Sequence, residues 1–232
     1  ELVVLEQEGR RNQFVERLTG PLAPEAAYLA GAPVALCCAA LFNQLWGLSF
    51  FLFSLGLFLG MFFRNPNRKI PEGKNLVVSP ADGKVIEINE IQLPDGSKGV
   101  RIGIFLSIFD VHINRAPVEG RVVAITRSGS AFKAAFNNEA PARNVQLSMK
   151  MEALGGQLVW VVQITGLIAR RIVCHAEEDV YLERGDRYGL IRFGSRTDVL
   201  LPKTSKVLVK LRQQVRGGKT VVGQLVEVPR DA

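Results

Sequence analysis

The chain has 232 residues, a formal net charge of +7 and a pI near 9.6. That length suits one globular domain with an appendage, and the basic balance asks for an anionic partner: nucleic acid, an acidic substrate or an anionic membrane surface. Cys37 and Cys38 are adjacent within an apolar run and Cys174 stands alone, which excludes a disulfide framework and fits a reducing compartment.

In chain order, residues 1–25 are polar with an amphipathic texture, predicting a surface helix. From Ala26 to Phe63 there is no charged residue, and Ala, Leu and Phe dominate. That run is about twice what one helix needs to cross a hydrocarbon core of ~30 Å. A cleaved signal peptide does not fit, because the run is too long and starts too far in. Asn43-Gln44 and Gly47 interrupt it, so the pattern predicts a membrane-embedded helical hairpin, Tyr28–Phe42 and Trp46–Phe63. Arg10, Arg11 and Arg17 precede the run, and Arg64, Arg68 and Lys69 follow it. A hairpin returns both clusters to the cytoplasmic side; a single span, the alternative, separates them. Basic charge beside such an anchor suits anionic headgroups, and the chain carries no nucleic-acid-binding signature.

Residues 64–232 change texture. "LVVSPADGKVIEINEI", "GVRIGIFLSIFDVHINRAP", "GRVVAITRSGS", "QLVWVVQITG", "ARRIVCHAEEDVYL", "YGLIRFGSRTDVLLP", "KVLVKLRQQV" and "GGKTVVGQLVEV" are short β-branched runs punctuated by Gly and Pro. They predict a mainly β sandwich or barrel. Ala131–Met151, polar and Asn-rich, reads as a helical or irregular insert. Strands are expected over Leu190–Phe193 and Thr197–Leu201, with Gly194-Ser195-Arg196 as a tight turn.

Candidate chemistry is sparse. His112 lies at a strand end, with Asp110 and Asn114 on its face by alternation and Arg115 nearby. Asp82 sits in "SPADGKV", which also makes a satisfactory β-turn. There is no phosphate loop, dinucleotide fingerprint, nucleophile elbow or metal-ligand spacing. A membrane-anchored β-sandwich binding or adaptor module remains open on these residues.

The anchor followed by "FFRNPNRKIP", "VVSPADGKV", "FDVHINRAP", "ARRIVC" and "RFGSRTDVLLP", in that order, resembles the short Gly-Ser class of phosphatidylserine decarboxylase proenzymes. The resemblance covers about residues 50–203. It implies self-cleavage between Gly194 and Ser195, conversion of Ser195 to a covalent pyruvoyl group, and chains 1–194 and 195–232 that stay associated as a heterodimer. It implies catalytic Ser195, His112 as base and Asp82 as its orienter. Arg115, Arg192 and Arg196 are candidate contacts for the substrate's phosphate or carboxylate, with solvated strand-edge arginines as the alternative for Arg192 and Arg196. No metal is implied. The implied substrate is a phospholipid in the inner membrane, met by a domain expected to face the cytoplasm; a related serine-headgroup lipid such as archaetidylserine is not distinguished. Where longer relatives carry Leu-Gly-Ser-Thr, this chain has Phe193-Gly194-Ser195-Arg196, so no role carries over to a threonine directly after the serine. No lipid contact is assigned within Ala131–Met151.

Overall fold

The structure, a computed structural model, describes residues 20–132, 143–166, 171–191 and 194–226. It divides into two compact units, one of residues 16–67 and the other chiefly residues 68–232. The expected surface helix over residues 1–25 lies almost wholly outside the described residues.

The first unit holds two helices, α1 (Ala26–Phe42) and α2 (Trp46–Phe62), joined by a turn in which Gln44 has φ 58°. They pack against each other, and the Cys37 thiol donates to the Ser49 carbonyl at 3.3 Å. The ends of the pair are tied: the Ala23 amide donates to the Phe63 carbonyl at 2.8 Å and the Asn65 amide to the Pro21 carbonyl at 2.7 Å. Entry and exit therefore lie side by side. At 1.5 Å rise per residue each helix is ~25 Å long. No helix among the described residues is long and apolar enough to cross a membrane, so the membrane-spanning part of the sequence expectation is not shown.

The second unit is mainly β, as its alternating runs predict. Its described strands are β1 (Leu76–Val78), β2 (Gly83–Gln92), β3 (Lys98–Leu106), β4 (Ile113–Arg115), β5 (Gly120–Ser128), β6 (Gln146–Ala153), β7 (Leu158–Ile164), β8 (Ile172–Cys174), β9 (Tyr181–Leu182), β10 (Arg187–Ile191), β11 (Ser195–Pro202), β12 (Lys206–Val207), β13 (Gln214–Val215) and β14 (Val221–Gln224). An eight-stranded sheet runs β13-β2-β3-β11-β7-β6-β5-β9, and two three-stranded sheets run β1-β14-β12 and β4-β10-β8. All pairings within these sheets are antiparallel. Val85, Ile102, Ile104, Met149, Met151, Val161, Val199 and Leu201 form the centre of one buried apolar cluster, each side chain worth about 1.5–3 kcal/mol on burial.

Two expectations are corrected here. The segment predicted as an irregular insert becomes β6 from Gln146 onward, because its Leu147, Met149 and Met151 alternate onto the core face. β10 and β11 also do not form a hairpin with each other. β10 pairs with β4 and β8, whereas β11 pairs with β3 and β7. The Gly194–Ser195 bond therefore lies where the chain leaves one sheet and enters another.

Candidate active site

Gly194 has φ +60°, a left-handed conformation that a Cβ would strain. It feeds directly into β11, whose first residue is Ser195; the polar Gly-Ser-Arg run that reads as a turn is already strand after Gly194. β11 inverts the usual rule for an inner strand, since Ser195, Arg196 and Thr197 are fully buried and Asp198 nearly so. Buried polar groups on this scale need partners or a purpose.

Alternation divides them between two faces. Arg196 and Asp198 share one face with Leu200. The Arg196 guanidinium donates to both Asp198 oxygens, at 2.5 and 3.0 Å, and to Glu87 Oε2 at 2.5 Å. Arg101 stands 3.5 Å from both Glu87 and Asp198, so two cations face two carboxylates. Gly103 of β3 makes room, because a Cβ there would stand 2.6 Å from Arg196 Nη2. Burial pushes the Asp198 carboxyl above its ordinary range against the pull of Arg196 and Arg101. Arg196 thus does not face a headgroup: its charge is consumed inside the sheet. A cavity of about 330 Å³ lined by Arg101, Lys150, Trp160, Asp198 and Leu200 belongs to this same face, not to that of Ser195.

Ser195 and Thr197 occupy the other face. Thr197 Oγ1 accepts from Asn114 Nδ2 at 3.0 Å, and Asn114 Oδ1 accepts from Gln163 Nε2 at 2.8 Å. Thr197 and Gln163 are direct cross-strand partners. Ser195 Oγ and Gln163 Oε1 are both buried without a hydrogen-bond partner among the described residues. A buried hydroxyl left in that state costs about 1–3 kcal/mol, an expense expected of a reacting group rather than a structural one.

His112 is 2% exposed and directly precedes β4. Its carbonyl accepts from the Ile191 amide at 3.3 Å, which sets it beside the strand that leads into Gly194. Alternation puts His112 on the side of Asn114, and Asn114 bonds the side of β11 that carries Ser195. His112 Nδ1 lies 2.9 Å from the Asp110 carbonyl. A carbonyl only accepts, so Nδ1 carries the proton in the neutral ring and Nε2 carries the lone pair. The Asp110 main chain therefore holds the Nδ1 side of the ring. The Asp110 carboxylate is engaged by the Ser107 amide and hydroxyl, both at 2.8 Å, and by Gln214.

Asp82, expected to orient His112, has Arg68 and Gly217 as hydrogen-bond partners. Its carboxylate accepts from both terminal nitrogens of Arg68, the Nη2 bond at 2.7 Å, and from the Gly217 amide at 2.8 Å. Arg68 also donates to the Gly217 carbonyl at 2.5 Å, closing a triangle. Arg115 is 4% exposed and donates to the Gly185 carbonyl at 3.0 Å. Burial, then the neighbouring charges of Arg187 and Arg68, pull its pKa down to about 10. Arg192 lies outside the described residues. Among the described residues no group of three or more His, Cys, Asp or Glu is placed to hold a metal ion.

Sequence reasoning missed Arg68, Gln163 and Gly217. Only Arg68 left a signal, as an arginine in the turn-rich "NPNRKIP"; the partners of the others are separated by tens of residues.

The fold and site define an antiparallel β protein whose reactive candidate is a buried serine at a crossing between two sheets. The family profile for phosphatidylserine decarboxylase matches residues 55–223. A phosphatidylserine decarboxylase proenzyme of Pelobacter propionicus is 44% identical over 81% of this chain and 84% of its own length. One of Symbiobacterium thermophilum is 44% identical over 88% and 95%, and one of Rickettsia bellii 46% over 69% and 72%. The chain belongs to the phosphatidylserine decarboxylase family.

Proposed function

We infer that this chain is a lyase that decarboxylates phosphatidylserine to phosphatidylethanolamine and CO2, after cutting itself between Gly194 and Ser195. The observation that carries the reading is Ser195 Oγ, buried and unpartnered, directly after a left-handed glycine, in a chain of this family.

Loss of CO2 from an amino acid leaves an electron pair that no unmodified side chain accepts well. A pyruvoyl group made from Ser195 supplies a ketone that takes up the substrate amine and those electrons. The residues present fit its formation. Ser195 Oγ attacks the Gly194 carbonyl carbon while His112 Nε2 takes the hydroxyl proton. The Gly194–Ser195 C–N bond breaks, giving an ester and a free amine. Elimination across Cα–Cβ of Ser195 then releases Gly194 as a carboxylate, and water converts the remaining dehydroalanine to pyruvoyl and ammonia. Asn114 and Gln163 fix the strand beside the reacting bond through Thr197. In turnover, His112 holds the proton that returns to the substrate carbon.

Asp82 and Arg68 act as a clamp in this reading. Both lie in the large chain, 1–194, and both hold Gly217 of the small chain, 195–232. β11 between β3 and β7, β13 on β2 and β14 on β1 also stitch the small chain into the large one. The two pieces therefore remain a heterodimer after cleavage.

The helix pair serves as the membrane anchor, dipping into the cytoplasmic face of the inner membrane. Supporting this, Phe42, Trp46, Phe50 and Leu57 are each more than 60% exposed, a large apolar surface for a protein in water. The test is CO2 release from phosphatidylserine by the purified chain and its Ser195→Ala variant. Turnover by the former alone supports the reading; equal turnover, or none by either, refutes it.

A further inference from the structure

The end of the eight-stranded sheet that carries Ser195 also carries two exposed turns. Ser195 is registered with Leu106, Lys84 with Phe105 and Gln214 with Lys84, so the turns after β3 and before β13 emerge at that end. The first turn, Ser107–Asp110, is braced by the Asp110 carboxylate and by the Asp110 amide on the Ser107 carbonyl at 3.0 Å. Braced in this way it still holds Phe109 64% and Ile108 37% exposed. The second, Lys210–Gln213, is pinned to β2 through Val85 by bonds of 2.9 and 2.8 Å and holds Leu211 57% exposed. Gln214 Nε2 to Asp110 Oδ1, 3.3 Å, joins the two turns.

Lys84, Lys210 and Arg212 are exposed around these apolar tips. None of the three makes an ion pair among the described residues. The acid on these turns, Asp110, is already engaged. Rigid apolar tips ringed by uncompensated cations complement one kind of surface: a bilayer whose headgroups are anionic.

We propose that the turns Ser107–Asp110 and Lys210–Gln213 of the β unit form an interfacial rim. The rim inserts Ile108, Phe109 and Leu211 among the headgroups, while Lys84, Lys210 and Arg212 meet anionic lipid. His112 lies two residues beyond the first turn, so insertion sets the site at headgroup depth. The link to catalysis rests on the decarboxylase reading; the docking itself does not.

The test uses the full chain with phosphatidylcholine vesicles containing or lacking phosphatidylserine. Phe109→Trp and Leu211→Trp are each measured for quenching by bromine-labelled acyl chains, against the background of Trp46 and Trp160 in the unaltered chain. Extra quenching at both positions, dependent on phosphatidylserine, is expected. Separately, Lys210→Gln/Arg212→Gln should lower the ratio of turnover on vesicles to turnover on a monomeric short-chain phosphatidylserine by about 25-fold, from about fivefold per cation. No extra quenching, or an unchanged ratio in an active enzyme, overturns the rim. So does a change in oligomeric state by light scattering with no extra quenching, which would make this surface a contact between copies of the chain. An unaltered chain that docks by quenching but releases no CO2 from either substrate refutes the decarboxylase reading and leaves the docking rim standing.

Discussion

Replacing Asp82 separates two roles that its motif leaves entangled. In the structure the Asp82 carboxylate neutralises Arg68 and accepts from Gly217, with only 13% of its own side chain and 9% of that of Arg68 exposed. Removing one partner of so buried a pair leaves an uncompensated charge and costs about 3–5 kcal/mol. At about 2–4 °C per kcal/mol for a domain of this size, Asp82→Ala should lower the melting temperature by roughly 6–20 °C. Asp82→Asn keeps an acceptor for the Gly217 amide and should lose less, about 1.5–3 kcal/mol. An aspartate that oriented the base would act differently, since its replacement by asparagine in a catalytic triad costs about 10⁴-fold in rate. The assay is differential scanning fluorimetry beside gel-resolved self-cleavage, well below the melting transition. A folded Asp82→Asn chain should cleave within about tenfold of the normal rate, far from that 10⁴-fold loss, and should release its small chain at lower urea. A variant with an unshifted melting temperature that fails to cleave would refute the clamp.

His112→Ala should slow self-cleavage by about 10²–10⁴-fold, read as persistence of the uncut chain on gels, with a melting transition retained. Arg196→Met leaves Asp198 and Glu87 with Arg101 alone as their shared cation, and should destabilise by about 3–5 kcal/mol in urea titration. Asn114→Ala strips Thr197 and Gln163 of a shared partner and should cost about 1–3 kcal/mol in urea titration while slowing cleavage on gels. Burial pushes the Cys174 thiol up to about 11, from an ordinary value of 9.0. A folded acid that holds its proton more tightly loses stability as pH rises from about 9 towards 11. Alkylation of Cys174 at pH 8, followed by mass spectrometry, should run about 100-fold slower in the folded than in the unfolded chain.

The candidate residues were legible because the family's motifs are local. "SPADG" and "FDVHINR" each fall at a turn or strand end, Gly194 leads into the first residue of β11, and Asn114 bonds the face of β11 that carries Ser195. What they touch was not legible. Asp82 meets Gly217 across 135 positions, and Gln163 meets Asn114 across 49, and no periodicity encodes such pairings. The start of β11 was missed for a different reason. A buried strand is read from its apolar run, and Ser195-Arg196-Thr197-Asp198 is polar throughout, so the pattern announces a turn where tertiary ion pairing builds a strand. Asp198, two residues after Arg196 on the same face, was the one local sign that this arginine has an internal partner. The helix pair was readable from its unbroken lack of charge, whereas its relation to a bilayer is a matter of length that composition does not fix.

The central claim is that the Gly194–Ser195 bond becomes the cofactor. Denaturing mass spectrometry of the purified protein tests it directly. The account predicts two chains: residues up to Gly194 with a free carboxylate, and residues from position 195 with a blocked N-terminus, lighter by one ammonia than a fragment beginning with serine. A single uncut chain in a preparation that releases CO2 from phosphatidylserine would contradict it.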